Sequence, residues 1–98
     1  LWYRLRGYRV LATNAWVDGY ELDLVVRRGR RLVFCEVKAK LGAGYGEPAE
    51  MVDAEKRRRL RRAAEAWLVS RPELAGLEAR FDVVAVTPRR VERVPVEF

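Results

Sequence analysis

The chain has 98 residues, half of them apolar, which is enough for one domain with a core of its own and too few for two. It contains no histidine and one cysteine, which excludes Ser-His-Asp and Cys-His catalysis, zinc held by His or by Cys sets, and an internal disulfide. The net charge of +6 points to a polyanionic partner, nucleic acid first and an anionic membrane surface second.

No apolar run approaches the ~20 residues needed to span a bilayer, and no secretory leader is visible. Cys35 lies in an apolar run and is expected to be a small core residue, which fits a reducing cytoplasm. The first residue is Leu1 rather than Met, so residues upstream are expected. Any catalysis has to rest on carboxylates, lysine and a hard metal ion.

In chain order, Leu1 to Arg6 reads as the last turns of a helix, with Leu1 and Leu5 at i, i+4 spacing and Gly7 as its stop. Tyr8 to Leu11 reads as a short strand. Asn14 to Gly19 reads as a turn or an irregular approach, with Trp16 packed. Glu21 to Lys38 is then a β-hairpin, in which the apolar runs Leu22–Val26 and Leu32–Cys35 flank an arginine-rich turn. Gly29 as the first central residue suits a type II′ turn. That turn sets Arg28 opposite Arg31, Val25 opposite Phe34, Asp23 opposite Glu36 and Glu21 opposite Lys38. A slip of one residue would send Asp23 and Glu36 to opposite faces.

In this register the Asp23 and Glu36 carboxylates are cross-strand neighbours, with Cβ atoms about 5 Å apart. At an effective dielectric near 20 they repel by roughly 3 kcal/mol, a large cost against a total stability of about 5–15 kcal/mol. A divalent cation converts that repulsion into ligation, and Mg²⁺ favours one or two carboxylates with water and phosphate. Lys38 follows on the same face, where it can hold a water or a developing oxyanion. Leu32 and Phe34 precede Glu36 and Lys38 on that face, so a covered side turns ionic, as it does in a cleft. A charged strand end is the competing explanation for so short a pattern.

Residues 41–48 hold three glycines and read as a flap beside the acidic end, or as a plain connection. A helix runs from about Ala49 or Asp53 to Ser70, with Lys56, Leu60, Ala63, Ala64, Trp67 and Leu68 on one stripe. Lys56 heads that stripe, positioned to reach the acidic end or to extend to water. Arg57, Arg58, Arg59, Arg61 and Arg62 fill the remaining surface with few acidic partners, which favours phosphate contact over a solvated face. Arg57, Arg58, Arg61 and Arg62 are the candidates for nucleic-acid binding. Arg71 to Gly76 turns the chain. Ala79 to Val86 reads as a buried strand interrupted by Asp82, and Val91 to Phe98 as a final strand whose Pro95 suits an edge.

Several words of the chain carry a family likeness. They are Gly7-Tyr8-Arg9-Val10-Leu11 with Asn14, Glu21-Leu22-Asp23-Leu24, Val33-Phe34-Cys35-Glu36-Val37-Lys38, Tyr45-Gly46-Glu47-Pro48, Val52 with Lys56, and Arg80-Phe81-Asp82-Val83-Val84. In this order and spacing the chain resembles the YraN-like branch of the PD-(D/E)XK nuclease superfamily. That branch is bacterial, of uncertain function, and similar in fold to archaeal Holliday-junction resolvases. The resemblance implies one α/β (α+β) domain over residues 1–98 with a restriction-endonuclease-like three-layer core. A mixed central sheet of about five strands would be flanked by helices, the N-terminal helix truncated at Leu1.

By the same resemblance, Asp23 and Glu36 bind Mg²⁺ or Mn²⁺ with the Val37 carbonyl. Lys38 positions the attacking water, Lys56 supports the site or the phosphate, and Glu21 and Asp82 hold supporting positions. Tyr20 departs from the family, which has Gly directly before the Glu-hydrophobic-Asp word. The leading expectation is a metal-dependent endonuclease-like protein that binds and hydrolyses DNA, with no membrane partner and with homodimerisation open. The alternatives are a non-catalytic nucleic-acid-binding module with an idle site, and an interaction protein that uses its basic helix on an acidic partner.

Overall fold

Two-residue alternation dominates the first forty positions, and the chain there builds three antiparallel strands. The structure, a computed structural model, describes residues 2–39, 54–86 and 91–95. Helix α1 (Trp2–Leu5) ends at Gly7, whose φ of +84° is the left-handed conformation that stops a helix. Strands β1 (Arg9–Val17), β2 (Tyr20–Arg28) and β3 (Arg31–Ala39) follow as a meander. The β2–β3 turn has Gly29 at φ +59° and Arg30 at negative φ, as type II′ requires. Its register pairs Arg28 with Arg31 and Val25 with Phe34, as the turn chemistry predicts.

After α2 (Ala54–Val69) and a 3₁₀ turn (Pro72–Leu74), β4 (Glu78–Val86) pairs parallel with β3 and β5 (Val91–Pro95) pairs antiparallel with β4. A parallel pair needs a long crossover, and α2 lies in it. Among the described residues the result is a small α+β fold with two α-helices and a mixed sheet in the order β1-β2-β3-β4-β5. Pro95 sits on an edge strand, where a missing N–H costs no ladder bond.

Each face of the sheet has its own core. On one, Leu22, Val25, Leu32 and Phe34 pack against Leu60, Ala63, Ala64 and Trp67 of α2 and against Leu74. Phe34 is fully buried, edge-on to Trp67 at 5.7 Å and stacked on Phe81 at 5.5 Å. Such aromatic pairs add about 0.5–1.5 kcal/mol each beyond burial. On the other face Tyr3 covers Val26, Val33, Cys35 and Val84. Cys35 is a buried core thiol, as expected.

Two expectations are corrected. The first strand runs from Arg9 to Val17, well beyond Leu11, because Asn14 does not turn the chain. Asn14 takes φ +49° inside the strand, and the turn falls at Asp18-Gly19, with φ of +53° and +77°, a type I′ hairpin. Trp16 is 73% exposed rather than packed. Ala15 and Val17 point into the α2-side core, so Trp16 faces the other way, where the α1-side cluster reaches only as far as Val10 and Leu24. The glycine-rich stretch 41–48, the helix starts expected at Ala49 or Asp53, and residues 87–90 and 96–98 lie outside the described residues.

Candidate functional site

The β2–β3 ladder runs from the Gly29 turn to the pair Leu24↔Cys35. Beyond it a side chain takes over: the Val37 N–H donates to Asp23 Oδ2 at 2.8 Å. The strand alternation also slips here. Leu22 and Val25 both join the α2-side core, whereas Leu24 and Val26 pack on the other face. The slip is centred on Asp23, and on β1 the left-handed Asn14 stands between the partners of Leu24 and Leu22.

Glu36 continues the Leu32–Phe34 face and is 7% exposed. Lys38 Nζ lies 3.2 Å from its Oε1, and the Tyr20 hydroxyl donates to its Oε2 at 3.0 Å. Burial first, then the Glu36 carboxylate, hold the Tyr20 phenol well above its ordinary pKa, with Asp23 adding to the rise and Arg59 opposing it. Tyr20 therefore stays protonated and remains a donor to Glu36. Glu36 is thus held by a lysine and a phenol, and Asp23 by a main-chain N–H.

Of the helix cations, Arg59 lies near enough to this end to act on Tyr20. Glu55 pairs with Arg58 at 2.6 Å and Arg59 at 3.1 Å, and Glu65 pairs with Arg61 at 3.3 Å. The arginine face thus has more acidic partners than expected from the sequence, though all three pairs are solvent-exposed and worth only about 0.3–0.5 kcal/mol each. Arg62 is exposed and Arg57 half-buried. Lys56, at the head of the apolar stripe, is exposed in the first turn of α2.

The supporting acids are not gathered with Asp23 and Glu36. Asp82 is 3% exposed on the opposite face, where it accepts from the Tyr3 hydroxyl at 2.7 Å and from Arg93 at 3.4 Å. Its role there is to pin α1 to β4. Glu21 is half-buried and pairs with Trp16 across β1–β2.

Asp23, Glu36 and the Val37 carbonyl offer oxygen donors only, the donor type that suits Mg²⁺ or Mn²⁺. Among the described residues no group of three or more His, Cys, Asp or Glu stands close enough to hold a metal. Two carboxylates suffice for Mg²⁺ when water and phosphate complete the shell, so the donor set fits an ion shared with a phosphate ligand.

A profile of the uncharacterised protein family UPF0102 matches residues 1–86. The chain belongs to that family. A UPF0102 protein of Methylorubrum extorquens is 49% identical over 89 residues, 91% of this chain and 68% of the relative. One from Moorella thermoacetica is 48% identical over 88 residues, 90% of this chain and 72% of the relative. One from Parvibaculum lavamentivorans is 48% identical over 91 residues, 92% of this chain and 66% of the relative. The chain thus spans about two thirds of the length of these UPF0102 relatives.

Within this UPF0102 chain, Tyr20 is the site residue that sequence reasoning missed. A phenol directly before a half-buried glutamate carries no motif of its own. The signal lay in the Asp18-Gly19 turn, which fixes Tyr20 as the first residue of β2 and so aims it along the Glu36 face.

Proposed function

We propose that this UPF0102 protein has a restriction-endonuclease-like three-layer core of the PD-(D/E)XK type and is a metal-dependent phosphodiesterase acting on nucleic acid, DNA in the first instance. The observation that carries the reading is one strand end where Lys38 and Tyr20 hold Glu36 at 3.2 and 3.0 Å while the next residue, Val37, donates its N–H to Asp23 at 2.8 Å. Asp23, Glu36 and the Val37 carbonyl are the groups to hold Mg²⁺ or Mn²⁺. When bound, such an ion supplies Lewis-acid charge to a phosphoryl oxygen and acidifies a water. Lys38, whose ammonium has donors to spare beyond Glu36, orients the attacking water and steadies charge on the phosphoryl oxygens. The exposed arginines of α2 hold flanking phosphates, exchanging weak carboxylate partners for stronger charge-assisted contacts.

A non-cleaving nucleic-acid-binding module is the second reading. It draws support from Glu36, both of whose oxygens already have protein partners.

Mn²⁺ titration followed by thermal denaturation, alongside cleavage of linear, branched and single-stranded DNA, tests the proposal. Mn²⁺ is expected to raise the melting temperature of the wild type and leave Asp23→Asn nearly unmoved. Cleavage of at least one substrate is expected to need the metal and Lys38. Equal metal response in both proteins overturns the metal site, and a metal response without cleavage favours the binding module.

A further inference from the structure

The sheet face turned away from α2 carries a second cluster that the acidic end does not use. Alternation puts Arg31 and Val33 of β3, Arg80 and Asp82 of β4, and Arg93 of β5 on that face. Two cavities adjoin there. One, of about 210 Å³, is lined by Tyr8, Arg31, Arg80, Asp82 and Arg93 among others. The other, of about 270 Å³, is lined by Arg28, Arg30, Arg31 and Glu78. Arg31 belongs to both. Five arginines against two carboxylates leave a local charge of +3, five minus two.

The way these arginines are anchored decides where the uncompensated charge lies. Arg80 is matched by Glu78 and Arg93 by Asp82. Arg28 instead donates to the Arg6 carbonyl at 3.0 Å, with its guanidinium 5.6 Å from the Tyr8 ring. Arg30 donates to the Gly76 carbonyl at 3.0 Å, and Arg31 shares the wall of the smaller cavity with the Tyr8 phenol. A carbonyl or a phenol orients a guanidinium without cancelling its charge. Arg28, Arg30 and Arg31 are therefore pre-positioned cations, and their planar forks match phosphate oxygens.

We propose that this groove at the tip of the β2–β3 hairpin is a second phosphate-binding surface, one that takes the backbone of nucleic acid. The proposal rests on the nucleic-acid reading above. The tip lies six residues along β2 from Asp23, roughly 20 Å away, and the groove faces away from Glu36. The phosphates it holds thus belong to a different stretch of backbone from those at the acidic end, which favours a bent or branched nucleic acid over a straight segment on one face.

The test is the salt dependence of binding to a labelled duplex and to a labelled branched DNA. Arg30→Gln/Arg31→Gln is expected to flatten the slope of log affinity against log salt by about 1–2, more on the branched substrate. Arg30→Lys/Arg31→Lys is expected to restore the slope, because charge returns without the fork. Arg61→Gln/Arg62→Gln on α2 serves as the control, and circular dichroism checks folding. If the double variant folds poorly, Arg31→Gln alone is expected to show about half the change.

A steep wild-type slope that the tip variants leave untouched, while the α2 variant flattens it, overturns the groove and keeps the nucleic-acid reading. A wild type with no salt-dependent binding overturns both. Pyrophosphate that raises the melting temperature through Arg30 and Arg31, with no change in the DNA slope, makes the groove a small-anion pocket and overturns the proposal.

Discussion

Tyr20 stands where a glycine would leave Glu36 with an open oxygen, and its hydroxyl is a fixed proton donor to that carboxylate. Partners of this kind orient a metal-binding carboxylate, and their loss costs typically ~10–100-fold in metal affinity. Tyr20→Phe is expected to weaken Mn²⁺ binding about tenfold, with the melting temperature in metal-free buffer almost unchanged. An unchanged affinity, read by calorimetry, makes the phenol a packing group only. Asp23 closes the strand end through the Val37 N–H. Asn can accept the same bond and Ala cannot, so Asp23→Ala is expected to cost about 1 kcal/mol in metal-free urea denaturation while Asp23→Asn stays within about 0.5.

Burial pushes the Cys35 thiol from about 9 up to about 12. The folded state holds that proton more tightly than the unfolded chain. The stability it contributes is complete below pH 9 and is lost as pH rises from there toward about 12. Urea midpoints at pH 8 and pH 10.5 are expected to fall more for wild type than for Cys35→Ala.

At the scale of elements, the hairpins show what a single chain discloses. The β2–β3 register was legible because Gly29 dictates a turn type, and a turn type dictates cross-strand partners as far as Leu24 and Cys35. Past that pair, expectation and structure part, since the Asp23 side chain replaces a ladder bond. The β1–β2 hairpin was hidden by Asn14, a turn former that a strand can also hold at positive φ. For α2 the apolar stripe was plain, but the ion pairs on its outer face depend on which rotamers meet and were not.

Those pairs carry a prediction about recognition. Glu55 holds Arg58 and Arg59 on the exposed face. Glu55→Gln is expected to tighten nucleic-acid binding and steepen its salt slope, at a stability cost within about 0.5 kcal/mol. A weaker affinity at equal stability would show that the pairs preset the arginines for phosphate instead of competing with it.

Across the whole molecule, the parts that escaped sequence reasoning join residues far apart in the chain. The Tyr3–Asp82 bond ties the first helix to the fourth strand, and no local pattern announces it. The charge of +6 was legible at once, but its division between α2 and the hairpin tip emerges only when β3 and β4 lie side by side.

That side-by-side pairing also orders events in time. The meander closes through tight turns, whereas Arg31 meets Glu78, 47 positions further along the chain, only after the crossover has been looped back. The folding nucleus is therefore expected in β1–β3, with β4 docking after the rate-limiting step. In stopped-flow experiments Val26→Ala, in the meander, should mainly slow folding. Val84→Ala, on the late-docking strand, should mainly speed unfolding. A chain that completes its parallel seam last exposes the arginine side of β3 to solvent for most of its folding time, and polyanions present during synthesis can meet that strand before its neighbour does.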